Sequence, residues 1–291
     1  MRIILVIIIA FVVNSCHRRL PLDTSIKHYS TEGNPALVIV SENNNSLGGG
    51  LLEIGFESYR DDAQIILADV FGVTSSELDD LSLNQIIDQF GEDWQINEII
   101  KIASASYNKI ISLTDDHASG FALLDNLEYL KDGGYDIDLI FNLHGSSESI
   151  WFSDQSYNIV DFTSQLVEKD ICIRSLYQTC CFGSDMIDEW EEIDIMAVNG
   201  AFENNSLAMF SPIFFIENWL NGFTFDEAVQ LAYQMEIDKI KSYNSVLPIM
   251  QYLINDEIIE ESKQITGGID RNLLWIYFPL IGQETVSQFN F

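Results

Sequence analysis

Two segments of the sequence each lead from an apolar run to a side chain that can react. The first, 137–145, ends on His144 and a glycine, and the second, 171–181, ends on the vicinal pair Cys180 and Cys181. Short apolar runs of this kind predict parallel strands buried inside a sheet. The carboxyl ends of neighbouring parallel strands form the crevice in which an α/β sheet holds its ligands. A histidine and a cysteine that end two such strands therefore suit a thiol nucleophile paired with an imidazole acid/base.

The order of strand, His-Gly, strand and Cys-x-x-Gly resembles the caspase, legumain and clostripain clan of cysteine peptidases. Cys180 follows His144 by 36 residues, a spacing that suits the clan. The resemblance implies a caspase-like (caspase-hemoglobinase) fold, an α/β three-layer αβα sandwich around a mostly parallel six-stranded sheet. The matching stretches are His144-Gly145-Ser146 with Ile150-Trp151-Phe152, and Gln178-Thr179-Cys180-Cys181-Phe182-Gly183-Ser184.

By the same resemblance, Cys180 is the nucleophile and His144 the acid/base of a cysteine endopeptidase. The backbone N–H groups of Gly145 and Cys180 are expected to stabilise the oxyanion. Gln178 stands two residues before the nucleophile, and Arg60 stands where legumain-like enzymes have Asn-Tyr-Arg. Both are expected to line the pocket for the residue before the cut. A neutral glutamine beside an arginine favours cleavage after Asn or Asp.

Simpler interpretations of the same residues stay open. Arg60 could be a solvated arginine that pairs with Asp61 or Glu57. Cys180 and Cys181 could be buried thiols that take part in no reaction. Two other functions also fit the motifs: a catalytically inert surface lipoprotein that kept the fold and binds a partner, and a transpeptidase, in which an amine replaces water.

Residues 1–15 predict a secretory signal peptide, because Arg2 precedes an apolar run at 3–13 that is short for a membrane span. The stretch Val13-Asn14-Ser15-Cys16 resembles a bacterial lipobox, in which Cys16 would be acylated and become the mature N-terminus. Residues 16–33 are then a lipidated tether, and the protein is expected to be exported and anchored to a membrane. A plain signal peptide or an uncleaved anchor is the alternative.

The charge balance excludes one class of partner. The chain has 45 acidic and 14 basic residues and a formal net charge of −31. Nucleic acid is not expected as a partner, because phosphate binding needs clustered Lys and Arg. The acidic residues are scattered along amphipathic segments, which predicts a solvated surface. No zinc spacing, Walker loop or dinucleotide motif appears, so no metal and no cofactor is expected, and the predicted partner is a peptide or protein substrate.

Residues 34–291 are predicted to form one peptidase domain with a helical insertion at about 74–106. Strands and helices alternate along it, which implies right-handed crossovers and helices on both faces of the sheet. A helix that opens at 184 is expected to lower the pKa of the Cys180 thiol through its N-terminus. Besides the two motif strands, we predict strands at 34–41, 109–114, 193–201 and 273–278, and helices from 58 and at 82–90, 119–130, 158–169, 184–192, 212–220 and 224–240. Residues 202–210 are predicted to be a loop, and the resemblance to the clan implies that this loop forms a wall of the specificity pocket.

Overall fold

The structure is a computed structural model that describes residues 33–42, 60–86, 90–243 and 255–275. The predicted signal peptide, Cys16 and nearly all of the tether lie outside the described residues. So do the start of the helix expected from residue 58 and the end of the strand expected at 273–278. Within the described ranges, no helix is long and apolar enough to cross a membrane.

A mostly parallel sheet forms the centre of the fold. Its strands and those of a small hairpin are β1 (Pro35–Glu42), β2 (Lys109–Thr114), β3 (Asp136–Ser146), β4 (Ser149–Trp151), β5 (Ser156–Asn158), β6 (Ile173–Gln178), β7 (Ala197–Ala201) and β8 (Gln264–Gly267). Six strands follow the order β2-β1-β3-β6-β7-β8. The first five of this order pair in parallel, and β8 is antiparallel to β7. The hairpin of β4 and β5 continues from the end of β3.

Helices connect these strands. They are α1 (Arg60–Phe71), α2 (Leu83–Ile86), α3 (Glu92–Ala103), α4 (Gly120–Asp132), α5 (Ile159–Glu168), α6 (Ile187–Glu191), α7 (Ser211–Leu220), α8 (Phe225–Tyr243) and α9 (Asp256–Glu261). Two of the predicted helices begin after a side-chain cap: the Ser119 side chain accepts from the Ala122 N–H before α4, and Asn158 accepts from the Val160 N–H before α5.

Helices cover both faces of the sheet. α4, α5 and α6 pack on one face, whereas α3, α7 and α8 pack on the other. Side chains of β1 alternate between the layers, so that Val38 lies in the first apolar cluster and Ile39 in the second. The predicted α/β fold, with three layers and a mostly parallel six-stranded sheet, is therefore confirmed.

The segment predicted as a helical insertion contributes α2 and α3. Together with α1 it forms a separate apolar cluster that includes Phe71, Leu78 and Ile86. Trp94 of α3 connects this cluster to the loop before α7, since its ring lies 5.6 Å from that of Phe210. The described part of the insertion thus packs against the loop predicted as a pocket wall.

Of the strand predicted at 273–278, only residues 273–275 lie within the described part of the chain. Leu273 to Trp275 do not form a strand, and Leu274 makes only an isolated bridge to Thr224. Among the described strands, the sheet ends on β8, whose residues pair with β7 in antiparallel register. A run of four residues that includes Gln264 and Gly267 is too short and too polar to predict a strand from its pattern.

Candidate active site

His144 and Cys180 lie at the same edge of the sheet. β3 and β6 are parallel neighbours, paired up to Phe141 opposite Gln178. The Thr179 N–H donates to the Phe141 carbonyl over 2.9 Å, which extends the pairing by one residue. Both strands therefore end at the carboxyl edge, where parallel sheets bind their ligands.

The His-Gly motif touches the cysteine through its glycine. A Cβ atom on Gly145 would lie 3.0 Å from Cys180 Cβ, and 3.2 Å from the carbonyl oxygens of Cys181 and Ser149. Any larger residue at position 145 would press on the cysteine, so the glycine permits the close approach. The two sequence motifs are adjacent in space.

The His144 imidazole lies on the other side of β3 from this contact. Successive side chains of a strand point to opposite faces, so His144 projects away from the face on which Gly145 meets Cys180. Its ring lies beside that of Trp151, its register partner on β4, with the ring centroids 6.1 Å apart. Burial lowers the pKa of His144 below its ordinary value of 6.5, so the imidazole is neutral at pH 7.

The Cys180 thiol is fully buried. Its side chain is 0% exposed and belongs to the apolar cluster under α4, α5 and α6. Burial, followed by the neighbouring thiol of Cys181, raises the pKa of Cys180 well above its ordinary value of 9.0. The expected lowering of this pKa by a helix N-terminus is therefore wrong. The helix that follows, Gly183–Met186, is a 3-10 helix of only four residues. The free-energy cost of desolvating the thiolate therefore outweighs any stabilisation of its charge by the N-terminus of this helix.

Cys181 is the more accessible of the two thiols. It is partly exposed, and both cysteines of the pair are free thiols rather than a vicinal disulfide. The backbone N–H of Asn205 donates to Cys181 Sγ over 3.3 Å, and Asn205 Nδ2 donates to the Thr179 carbonyl over 3.0 Å. Asn205 lies in the loop predicted as a wall and holds the cysteine turn. Sequence analysis missed it, because one asparagine in a loop has no spacing that points to a site.

The turn after the cysteines is strained. Phe182 has a φ of +55°, in the left-handed region that costs a residue with a side chain about 1–2 kcal/mol. Its N–H donates to the Glu203 carbonyl over 2.6 Å. Gly183 then packs on Gly200 of β7 so closely that a Cβ on Gly200 would lie 2.0 Å from the Gly183 carbonyl carbon. These contacts hold the turn closed over Cys180.

Gln178, expected in the specificity pocket, is buried under this turn. Its backbone exchanges hydrogen bonds with the Asn199 side chain, and Gln178 Nε2 donates to the Gly183 carbonyl over 3.4 Å. Its Oε1 atom is buried without a hydrogen-bond partner. In the described conformation, Gln178 therefore supports the turn and is closed to solvent.

Arg60, the second residue expected in that pocket, begins α1. Its guanidinium is half-buried and Nη1 donates to the Leu81 carbonyl over 2.8 Å. The bond joins the start of α1 to the segment before α2. The structure thus places Arg60 on the helical insertion and Gln178 under the cysteine turn.

Exposed aromatic side chains flank the cysteine turn. Trp151 is 49% exposed beside His144, and Phe202 is 46% exposed after β7. The Ser184 hydroxyl donates to the Phe202 carbonyl over 3.4 Å, which joins Phe202 to the turn. This edge offers apolar surface for a bound chain. Among the described residues, no group of three or more His, Cys, Asp and Glu could hold a metal ion.

Comparisons with known proteins found distant structural likeness but no match in sequence. No protein-family model matches the sequence, and no curated protein matches it. Among solved structures, the chain is similar to a secreted C11 cysteine protease from Bacteroides thetaiotaomicron, iotapain, with 6% identity and a TM-score of 0.32. The match covers 62% of this chain and 56% of the protease. A likeness this low assigns neither a fold nor an activity to the chain.

Proposed function

We propose that the chain is a cysteine endopeptidase in which Cys180 is the nucleophile and His144 the acid/base. The contact of Gly145 with Cys180 carries the proposal, because it joins the two motifs at the carboxyl ends of neighbouring strands. The resemblance to the caspase, legumain and clostripain clan gives these residues their roles. The proposed partner is a peptide or protein substrate.

The chemistry proceeds in two steps. Neutral His144 first takes the proton of the Cys180 thiol, and the resulting thiolate forms a bond to the scissile carbonyl carbon. The π electrons of the carbonyl move to its oxygen, which the N–H groups of Gly145 and Cys180 stabilise. The C–N bond breaks as His144 gives its proton to the leaving amine, which leaves a thioester. His144 then takes a proton from water as the water attacks the thioester, and the sulfur leaves with the electrons of the C–S bond.

This reaction requires a change at the turn that follows Cys180 and a reorientation of His144, whose side chain leaves β3 on the face opposite to Cys180. The thiol is 0% exposed and its pKa is raised, so a substrate carbonyl reaches it only after the turn moves aside. The same burial favours the alternative of an inert protein with a peptidase fold. Alkylation with iodoacetamide, mapped to the individual cysteines, distinguishes the two. Cys181 is already partly exposed, whereas Cys180 is labelled only if it becomes exposed and ionised.

Two alanine variants test the choice of nucleophile. Cys180→Ala should abolish peptide turnover and leave the fold intact, whereas Cys181→Ala should keep most of the activity. Turnover and circular dichroism of both variants measure this. The opposite result would show that the nucleophile lies one residue further on. Product masses in the presence of an added amine identify a transpeptidase, since the amine would then appear in the product.

The finer part of the proposal is cleavage after Asn or Asp. Arginine offers a fixed fork of donors that suits a carboxylate or amide oxygen. Arg60→Ala should lower kcat/KM for Asn and Asp peptides by roughly 30-fold or more, the usual cost of losing a charged hydrogen bond. Peptides that differ only at the residue before the cut measure this. Preference for Arg or Lys would contradict the assignment and direct attention to Glu203.

We also propose that the chain is exported and anchored through an acylated Cys16. The apolar run at 3–13 and the lipobox-like sequence support this, although both lie outside the described residues. A lipid anchor would hold the peptidase domain at a membrane surface in the periplasm or on the cell.

A further inference from the structure

Four buried polar side chains lie together where three neighbouring strands end. They are Ser41 of β1, Asn142 of β3, Thr179 after β6 and Gln95 of α3, and none is more than 5% exposed. A buried polar group costs free energy unless it is hydrogen-bonded, so such a cluster requires matched partners.

Asn142 is the centre of this cluster. Its Nδ2 donates to Ser41 Oγ over 3.1 Å and to Gln95 Oε1 over 3.0 Å. Its Oδ1 accepts from Thr179 Oγ1 over 3.0 Å. The site thus uses both N–H donors and the carbonyl oxygen of one amide, a combination that aspartate and leucine do not offer.

Gln95 extends the cluster to the loop beyond β7. Its Nε2 donates to the Ala208 carbonyl over 2.8 Å and to the Met209 carbonyl over 2.9 Å. In the same loop, Asn205 bonds to the Thr179 carbonyl and to Cys181. The loop is therefore tied to the strand ends at two points.

The members of the cluster adjoin both proposed reacting residues. Asn142 precedes His144 by two residues and shares its face of β3. Thr179 directly precedes Cys180. A hydrogen bond between Asn142 and Thr179 therefore fixes the end of the histidine strand relative to the end of the cysteine strand.

We propose that Gln95, Asn142 and Thr179 form a positioning relay, which sets the spacing of His144 and Cys180 and fixes the loop 205–209 against them. This role rests on the proposed peptidase function. The three residues act through others and do not touch the reacting atoms. Small misplacements of reacting groups cost about 10- to 100-fold in rate, so such a relay has a measurable effect.

A matched pair of variants at Thr179 tests its hydroxyl, which lies 3.0 Å from Asn142 Oδ1 and 3.3 Å from the Phe141 carbonyl, both on β3. Thr179→Val has nearly the same shape but removes the hydroxyl donor, whereas Thr179→Ser retains it. We expect Thr179→Val to lower kcat about tenfold or more with a smaller change in KM, and Thr179→Ser to recover most of the activity.

The opposite end of β3 supplies a control for lost stability alone. Tyr107 Oη donates to Asp138 Oδ2 over 3.0 Å, and both side chains are buried. Tyr107→Phe removes one buried hydrogen bond from the same sheet at a distance from Cys180. It should lower the melting temperature without changing kcat or KM.

The experiment measures kcat, KM, melting temperature and the pH dependence of iodoacetamide labelling at Cys180 and Cys181 in all four proteins. A shifted labelling profile in Thr179→Val, restored in Thr179→Ser and unchanged in Tyr107→Phe, supports the relay. An active wild type with equal kcat in both Thr179 variants overturns it. If the wild type shows no turnover, the peptidase function is refuted, and the labelling profiles alone test the relay. Identical labelling profiles in the wild type and in Thr179→Val would then overturn the relay.

Discussion

The contact of Gly183 with Gly200 allows a sharp test of how the cysteine turn is held. Neither glycine has a positive φ, so their role is steric and not conformational. A Cβ on Gly200 would lie 2.0 Å from the Gly183 carbonyl carbon and 2.3 Å from its oxygen. A Cβ on Gly183 meets Gly200 Cα at 2.9 Å and otherwise only contacts of 3.3 Å or more. Gly200→Ala should therefore be far more damaging than Gly183→Ala.

The sizes of these effects follow from the overlaps. Carbon atoms pack at about 3.5–4.0 Å, so Gly200→Ala forces a shift of roughly 1.5 Å and Gly183→Ala one of roughly 0.6 Å. The atoms that must move in Gly200→Ala belong to the backbone, which yields less than the tip of a side chain. Overpacking costs about 1–3 kcal/mol, and we assign the upper value to Gly200→Ala and the lower to Gly183→Ala. These values correspond to falls in melting temperature of roughly 6–12 °C and 2–4 °C.

Thermal unfolding and peptide turnover measured on the same samples check this reasoning. The Gly183 N–H donates to the Cys180 carbonyl over 3.3 Å, so a displaced Gly183 also shifts the nucleophile. Gly200→Ala should therefore lose activity at temperatures where it is still folded. Gly222→Ala is the control, because Gly222 has a φ of +93° and no neighbour within 4 Å of a Cβ. That variant should lose stability and keep its activity. Equal melting temperatures for the Gly183 and Gly200 variants would refute the steric account.

Three other outcomes can be measured. The lowered pKa of His144 places the acidic limb of the kcat/KM profile below pH 6.5, and a limb above that value contradicts the assignment. Glu236 accepts N–H bonds from Met209 and Ser211, but burial raises the pKa of its carboxyl above the ordinary 4.5. Between pH 4.5 and the higher pKa of the folded state, the folded protein keeps this proton and the unfolded protein has lost it. The free energy of unfolding therefore falls as the pH rises through this range. Glu236→Gln should flatten this pH dependence of the melting temperature. Cys16→Ala should release the chain from membranes on fractionation, and retention would indicate an uncleaved helix.

The fold could be predicted because its strands are marked by local pattern. The segments 34–41 and 109–114 are short, rich in β-branched residues and bounded by polar loops, and the structure has β1 and β2 there. Helix starts at Ser119 and Asn158 also have local signals in their caps. β8 lacks any such signal. It is a strand because β7 offers it an edge, and that depends on chain far away in sequence.

The state of the Cys180 thiol could not be predicted for the same reason. The sequence shows a cysteine at a strand end with a possible helix beyond it, which favours a low pKa. The structure adds the left-handed Phe182 and the approach of Gly200, which close the turn and bury the sulfur. The bond between Gln95 and Asn142 joins residues 47 apart, and a pattern in sequence does not reveal it.

The Cys180 thiol is buried, whereas the proposed reaction needs it exposed. The hydrogen bonds on either side of Cys180 indicate which neighbouring segment would have to move. On the strand side, Thr179 is held by bonds to Phe141 and Asn142 inside the core. On the turn side, the bonds run to the loop beyond β7. The Phe182 N–H donates to the Glu203 carbonyl, and Asn205 donates to Cys181 Sγ and to the Thr179 carbonyl, each worth about 1 kcal/mol net. Opening the turn also releases the left-handed strain of Phe182, about 1–2 kcal/mol, which offsets the loss of one or two of these bonds. The proposed reaction therefore requires the turn to open while the strand end stays fixed.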